Sequence, residues 1–322
     1  MNGDRETPPK TRVQRTRRLF WNADERRLRA GWRIGLQLSL FAAILGALTG
    51  LSKLLGTGVG AALLVWPLYF AAVFGSIHFL ARNVDHRPFA DFGLHVNGAW
   101  WRDLAFGFFL GAFMMTGMFF TEKAAGWVTV TGAGVTSMAL PVGLAVLVKL
   151  VEWIAVGASE ELVFRGYQLK NLSEGLSSKR WSPRRRLWLA ALVSSLFFGL
   201  AHLANRNSTA VSTLNIVLGG LLLSLPILIT GELAASIGLH ISWNLFEGSV
   251  YGFPVSGVEE KTHVLTIRQT GPVIWTGGSF GPEAGLVCIV WMLIAAGLLV
   301  AWFRARGVAG ETRAAPPIES GA

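Results

Sequence analysis

Ionisable side chains interrupt the apolar sequence at the run Ser159-Glu160-Glu161-Leu162-Val163-Phe164-Arg165. On a helix, Glu161 and Arg165 lie four residues apart on one face, in the favourable acid-before-base order. Glu160 points about 100° away from that pair. We therefore expect the arginine to pair one carboxylate and leave the other free to face a cavity, where an unpaired carboxylate suits a general base. The alternative is that all three charges are solvated at the membrane interface.

Two histidines follow in later apolar segments. His202 comes one helical turn after Phe198, so the aromatic ring can brace its imidazole. His240 and Asn244 are also four residues apart, and both can point at one place in the membrane. A single histidine in a membrane helix is often a packing residue, whereas two aligned polar groups at mid-membrane favour a functional site.

Together these segments supply a carboxylate, two imidazoles and a carboxamide, which is an inventory suited to hydrolysis. The carboxylate would activate water, and the His and Asn donors would stabilise the developing oxyanion. The same groups also resemble a catalytic zinc shell, in which Glu160, His202 and His240 would be the ligands. The sequence has no HExxH helix, which weakens the usual zinc-protease route. The residues thus favour hydrolysis without a metal and leave a divalent ion such as zinc open.

The composition indicates which elements must position these groups. Of 322 residues, 52% are hydrophobic and only 15% are charged, with a mean hydropathy of +0.47. Soluble domains carry about 25% charged residues, so lipid must cover much of this chain. A single cysteine, Cys288, excludes intrachain disulfides and Cys-based zinc sites. A soluble enzyme and a disulfide scaffold are both excluded.

Apolar stretches of the length that spans a membrane, about 20 residues, predict an all-α, polytopic membrane helix bundle with about eight transmembrane helices. We expect the bundle at residues 31–303, a core that carries the polar groups at about 140–250, a basic N-terminal tail at 1–30 and a disordered C-terminal tail at 304–322. The predicted spans are Ile34–Leu51, Val59–Leu80, Leu104–Phe120, Leu140–Ala158, Leu187–Ala204, Ala210–Ile229, Leu233–Val250 and Gly285–Phe303. Gly107 and Gly111 are spaced for close helix packing, and a short hairpin is expected around Val264–Arg268.

The net charge of +10 indicates how the protein is oriented in the membrane rather than a surface that binds nucleic acid. With the N-terminus inside, most basic residues fall in cytosolic segments, as the positive-inside rule requires. This predicts a multi-pass protein of the cell membrane with both termini cytosolic, in contact with the lipid bilayer and with no nucleic-acid partner.

The three motifs carry a resemblance to a known family. Glu160-Glu161-x-x-x-Arg165, Phe198-x-x-x-His202 and His240-x-x-x-Asn244 resemble, in this order, the motifs of the CPBP intramembrane protease family. That family includes the type II CAAX prenyl endopeptidases and bacteriocin-processing or immunity-type (Abi-like) proteins. The resemblance covers about Leu140–Val250. One departure is Arg206, between Asn205 and Asn207, where some members have an asparagine four residues after the second-motif histidine.

The resemblance implies an endopeptidase whose substrate is a membrane-associated protein or peptide, through CAAX-type or leader-peptide processing. Glu160 would activate water, with Glu161 and Arg165 supporting it. His202 would bind or orient the water, and His240 with Asn244 would hold the oxyanion. Because a simple topology places these motifs at different depths, a water-filled funnel into the bundle is expected. Two other functions stay open: a proton- or ion-coupled transporter, and a non-catalytic immunity or scaffold protein.

Overall fold

The computed structural model describes residues 19–23, 25–56, 58–177 and 181–308. Helices dominate this part of the chain, as the sequence predicts. Their bounds are α1 Ala30–Leu55, α2 Val59–Leu80, α3 Gly98–Ala124, α4 Val142–Glu161, α5 Leu169–Gly175, α6 Pro183–Ala201, α7 Ala210–Thr230, α8 Ala234–Asn244, α9 Val273–Thr276 and α10 Leu286–Ala305. Four strands form two antiparallel pairs: β1 Trp21–Asn22 with β2 Arg27–Leu28, and β3 Val128–Val135 with β4 His263–Gln269.

Local sequence sets several helix ends. The Asn97 side chain accepts hydrogen bonds from the first backbone amides of α3. Ser182 caps α6, which then begins at Pro183, and Thr209 starts α7 with a reciprocal capping box. These caps satisfy amides that have no partner inside the helix. They fix where α6 and α7, which flank the candidate site, begin.

Seven helices among the described residues are long and apolar enough to cross a membrane. The seventh predicted span, Leu233–Val250, is helical but is not one of them: α8 continues as a π-helical segment, Leu245–Val250. Every residue of α8 is buried. The prediction of eight spans is therefore corrected to seven apolar helices around a shorter, buried one. The protein is a multi-pass membrane protein, and the cytosolic side of its termini stays a prediction.

The fourth span is longer than the sequence predicts. Its expected end at Ala158 is wrong, because α4 passes into a π-helical segment, Leu162–Gln168, and then α5, as one helical stretch from Val142 to Gly175. Glu161 and Arg165, which lie beyond the expected end, are paired with each other inside the bundle. Glu160 consequently lies in the middle of a long helix rather than at its end.

Close contact between α3 and α8 is possible because glycines lie at the crossing. A Cβ on Gly107 would overlap the carbonyl of Ala235, and a Cβ on Gly238 would overlap that of Leu104. Gly111 meets Ser242 in the same way. The packing role predicted for Gly107 and Gly111 is confirmed, and it fixes the depth of the helix that carries His240.

The hairpin expected around Val264–Arg268 is only half right. These residues do form a strand, β4, but its partner is β3, from Val128↔Gln269 to Val135↔His263. The pairing joins two loops that are far apart in sequence, which local turn signals do not reveal. It anchors the long loop between α8 and α10.

The chain ends differ from the expected tails where they are described. Residues 1–18 and 309–322 lie outside the described part. Residues 19–23 and 25–29 fold onto the bundle, where Arg27 is buried and its guanidinium contacts Glu174 and the carbonyl of Asp85. At the other end, α10 continues to Ala305, and Arg306 pairs with Asp103.

Candidate active site

A cavity of about 410 Å³ opens within the helical bundle. Four of the six predicted site residues line it, namely Glu160, His202, His240 and Asn244. The other two, Glu161 and Arg165, are completely buried behind this lining. The depth conflict of a simple topology is resolved because the long fourth helix places Glu160 at its centre. The structure therefore brings the three motifs to one place.

Glu161 connects two of the motifs. Its Oε1 accepts a hydrogen bond from Nη1 of Arg165 at 3.0 Å and another from Nδ1 of His240 at 2.8 Å. The pair predicted between Glu161 and Arg165 is thus present, and the same carboxylate orients an imidazole on α8. Since Nδ1–H is the donor to Glu161, the Nε2 atom of His240 is directed elsewhere.

The Phe198 ring of the second motif contacts both the Arg165 guanidinium and the His202 imidazole. Its ring lies 4.1 Å from the guanidinium carbon of Arg165, and its centroid is 4.7 Å from that of the His202 ring. The predicted bracing of His202 by Phe198 is thus present. Nδ1 of His202 also lies 2.8 Å from the backbone carbonyl oxygen of Phe198. A carbonyl oxygen can only accept, so Nδ1 carries the proton and Nε2 of a neutral ring is left as an acceptor.

Glu160 and Asn244 present polar groups to the cavity. Oε2 of Glu160 lies 3.9 Å from Nε2 of His240, and the Glu160 side chain keeps 20% of its exposure. Asn244 is 6% exposed and forms no side-chain hydrogen bond with the described residues, although it lines the cavity. A buried carboxamide without a protein partner is available to a ligand.

Sequence reasoning missed Glu283 as a lining residue. Its Oε2 accepts hydrogen bonds from the backbone amide of Ser256 at 2.8 Å and from the Ser256 hydroxyl at 2.7 Å. Burial raises the pKa of the Glu283 carboxyl above its ordinary value, while the bonds from Ser256 and the charges of His202 and His240 oppose that rise. The only local signal for this residue is its place in the glycine-rich run Gly277–Glu283 before the last helix, which no spacing connects to the three motifs.

Asn205, next to the departure from the family pattern, has a structural partner. Its amide donates to the backbone carbonyl of Ser256 at 2.9 Å. Asn207 similarly donates to the carbonyl of Ser279. Both asparagines therefore tie the end of α6 to the loops that cover the cavity, and the hydrogen-bond partner of His202 is the Phe198 carbonyl.

The predicted zinc ligands do not form a metal-binding geometry in the described residues. No group of three or more His, Cys, Asp or Glu side chains in these ranges is arranged to hold a metal ion. Nδ1 of His202 and Nδ1 of His240 are both engaged with protein acceptors, so Nε2 is the free nitrogen of each ring. In the described ranges, Glu160, His202 and His240 are not preorganised as a three-ligand metal site.

Comparison with known proteins agrees with the motifs. Residues 142–246 match the family model described as Rce1-like, type II CAAX prenyl endopeptidase. This match includes Glu160, His202, His240 and Asn244, and ends before Glu283 and Ser256. Searches among curated proteins and among solved structures each gave no significant match. Residues 142–246 are therefore similar to the Rce1-like family, which confirms the resemblance to the CPBP family of intramembrane proteases.

Proposed function

We propose that this protein is an intramembrane endopeptidase of the cell membrane that hydrolyses a peptide bond of a membrane-associated protein or peptide. The observation that carries the proposal is the convergence of Glu160, His202, His240 and Asn244 on one cavity inside an apolar bundle. Its processing reaction would be of the CAAX type or the removal of a leader peptide. The Rce1-like domain supports a peptide or protein substrate.

In the first step, Glu160 and His202 prepare the attacking water. Nε2 of His202 is the free acceptor of that ring, so it can hold the water through one of its protons. Glu160 takes the other proton as the water oxygen bonds to the carbonyl carbon of the substrate. The residual exposure of Glu160 fits a base that must reach water within the cavity.

The tetrahedral intermediate carries a negative oxygen that needs hydrogen-bond donors. The amide of Asn244 and the protonated Nε2 of His240 would supply them. Glu161 keeps the His240 ring in place through Nδ1, and Arg165 holds Glu161 in turn. These two residues are positioning residues, since neither lines the cavity.

Collapse of the intermediate completes the reaction. The carbon–nitrogen bond breaks, and the proton held by Glu160 passes to the departing amine. The other proton of the attacking water passes from the new carboxyl group to the same amine. The products are therefore a carboxylate and an ammonium group, and Glu160 returns to its ionised form. The cycle needs no redox partner and leaves every atom and charge accounted for.

A comparison of membrane peptides tests this function in cells. Tagged membrane proteins would be analysed by mass spectrometry in cells that carry the wild-type protein, the Glu160→Ala variant or the Glu259→Ala control. Glu259 is exposed and lies outside the cavity lining. We expect new termini in wild-type and control cells that disappear with Glu160→Ala.

Identical termini in all three would contradict the proposal, and proton flux in proteoliposomes would then favour a transporter. Phenotypic rescue by Glu160→Gln would favour a scaffold.

A further inference from the structure

The cavity has a charge opposite to that of the whole protein. Although the chain has a net charge of +10, four carboxylate residues line the cavity, and no lysine or arginine does so among the described residues. These four are Glu152, Glu160, Glu260 and Glu283. Clefts of one sign with low-dielectric walls concentrate ligands of the opposite sign. The lining therefore favours a cationic group on the substrate.

Two of the carboxylates form a wall away from the catalytic motifs. Glu152 and Glu260 line the cavity together with the indoles of Trp66 and Trp153, and these four residues are here called the carboxylate–indole wall. Their neighbour Lys149 lies behind this wall and does not line the cavity. Its Nζ is 2.7 Å from Glu152, 2.8 Å from Glu260 and 4.7 Å from the centre of the Trp153 ring.

The contacts of Lys149 indicate that the carboxylate–indole wall binds a cationic side chain. Two carboxylates and an aromatic face surround one ammonium group, which is the arrangement that binds alkylammonium and guanidinium ions. One cation opposite two carboxylates leaves one negative charge uncompensated. Glu152 and Glu260 line the cavity whereas Lys149, which contacts Oε2 of each, does not, so both carboxylates can also meet a second cation inside the cavity.

Helix geometry gives the distance from this wall to the reacting groups. Glu152, Val156 and Glu160 all line the cavity and repeat every four residues on one face of α4. The two glutamates are therefore about 12 Å apart along the helix axis. An extended peptide covers that distance in about three to four residues. A side chain bound at the wall would belong to a residue that far from the bond that is cut.

We propose that the carboxylate–indole wall is a specificity subsite for a Lys or Arg side chain of the substrate, three or four residues from the scissile bond. This inference rests on the proposed endopeptidase function. Glu152 and Glu260 would pair with the substrate cation, and Trp66 and Trp153 would cover its aliphatic stem. The subsite selects the substrate and takes no part in the chemical steps.

Peptides that differ at one position test the subsite. The probes are lipid-anchored fluorogenic peptides of one parent sequence with Lys, norleucine or Glu placed successively along the chain, used with wild-type protein in nanodiscs. We expect kcat/KM at one position to fall about tenfold or more from Lys to norleucine, and further for Glu. Equal cleavage of the three peptides at every position would overturn the proposal.

Two variants assign the preference to the wall. Glu260→Gln should reduce the Lys-to-norleucine ratio of kcat/KM. Glu259→Gln is the matched control, because it removes a neighbouring charge that does not line the cavity. If Glu260→Gln lowers cleavage of all peptides equally, Glu260 only tethers its loop to Lys149, and the proposal fails.

A binding measurement separates this proposal from the function on which it rests. Fluorescein-labelled Lys and norleucine peptides would be titrated with the Glu160→Ala variant and followed by fluorescence anisotropy. Tighter binding of the Lys peptide without cleavage by wild-type protein would support the subsite and contradict the protease. Cleavage by wild-type protein together with equal binding of both peptides would support the protease and contradict the subsite.

Discussion

Nδ1 of His240 donates a hydrogen bond to Oε1 of Glu161 across 2.8 Å, although the two residues are 79 positions apart in the chain. The same oxygen accepts from Arg165, four residues further along its own helix. This one carboxylate thus links the first motif to the third. It gives Glu161 a role that differs from that of Glu160 beside it.

We expect Glu161→Gln to lower kcat about 10²-fold with little change in KM, because the imidazole would lose its orienting acceptor. The double variant Glu161→Gln/His240→Ala should be no slower than His240→Ala alone, since both changes remove one function. Single-turnover cleavage of a peptide substrate by the three variants measures this. Effects that multiply in the double variant would show that Glu161 acts independently of His240.

Asn244→Ala should lower kcat about 10²–10³-fold and leave thermal stability unchanged, because its amide has no partner among the described residues. Asn215→Ala is the contrasting substitution. The Asn215 amide donates to the carbonyls of Glu283 and Gly285, so its loss should cost about 1–3 kcal/mol of unfolding free energy. Thermal unfolding in detergent and initial rates would be compared. A large loss of stability in Asn244→Ala would refute its assignment as a free donor.

Gly238→Ala should destabilise the bundle by about 1–3 kcal/mol, because the new Cβ would overlap the backbone of Leu104 and separate α3 from α8. Gly75→Ala in α2 is the control, since a Cβ there meets nothing within 4 Å. Reduced protease resistance of the first variant alone would agree with this packing. Equal resistance of both variants would contradict it.

Chelation tests the metal question that the sequence leaves open. No set of three ligands forms among the described residues. We therefore expect cleavage to continue after treatment with 1,10-phenanthroline and dialysis against EDTA. A loss of activity that zinc restores would show that Glu160, His202 and His240 rearrange around a metal ion.

Much of the site could be predicted from local spacing. The Glu161–Arg165 pair, the Phe198–His202 contact and the shared face of His240 and Asn244 all depend on residues four apart on a helix, where geometry follows from sequence. The family resemblance likewise rested on these short motifs, and the Rce1-like match confirms it.

The remaining features depend on contacts between distant segments. Local sequence spacing does not predict three of the contacts. These are the Glu161–His240 hydrogen bond, the hydrogen bonds from Ser256 to Glu283 and the ion pair between Lys149 and Glu260. Hydropathy also cannot distinguish α8, which other helices cover, from a helix that lipid covers. Hydropathy also predicts an end for the fourth span that is too early, at Ala158. The helix continues beyond that residue because the charged side chains there are paired and buried.

The central claim is that Glu160 activates water for peptide hydrolysis. The most direct measurement is the cleavage rate of a purified substrate peptide by wild-type protein, Glu160→Gln and the exposed control Glu259→Gln in nanodiscs. Our account predicts a loss of about 10²–10⁴-fold in kcat for Glu160→Gln, unchanged folding and a normal rate for the control. Cleavage by Glu160→Gln at the wild-type rate would contradict it.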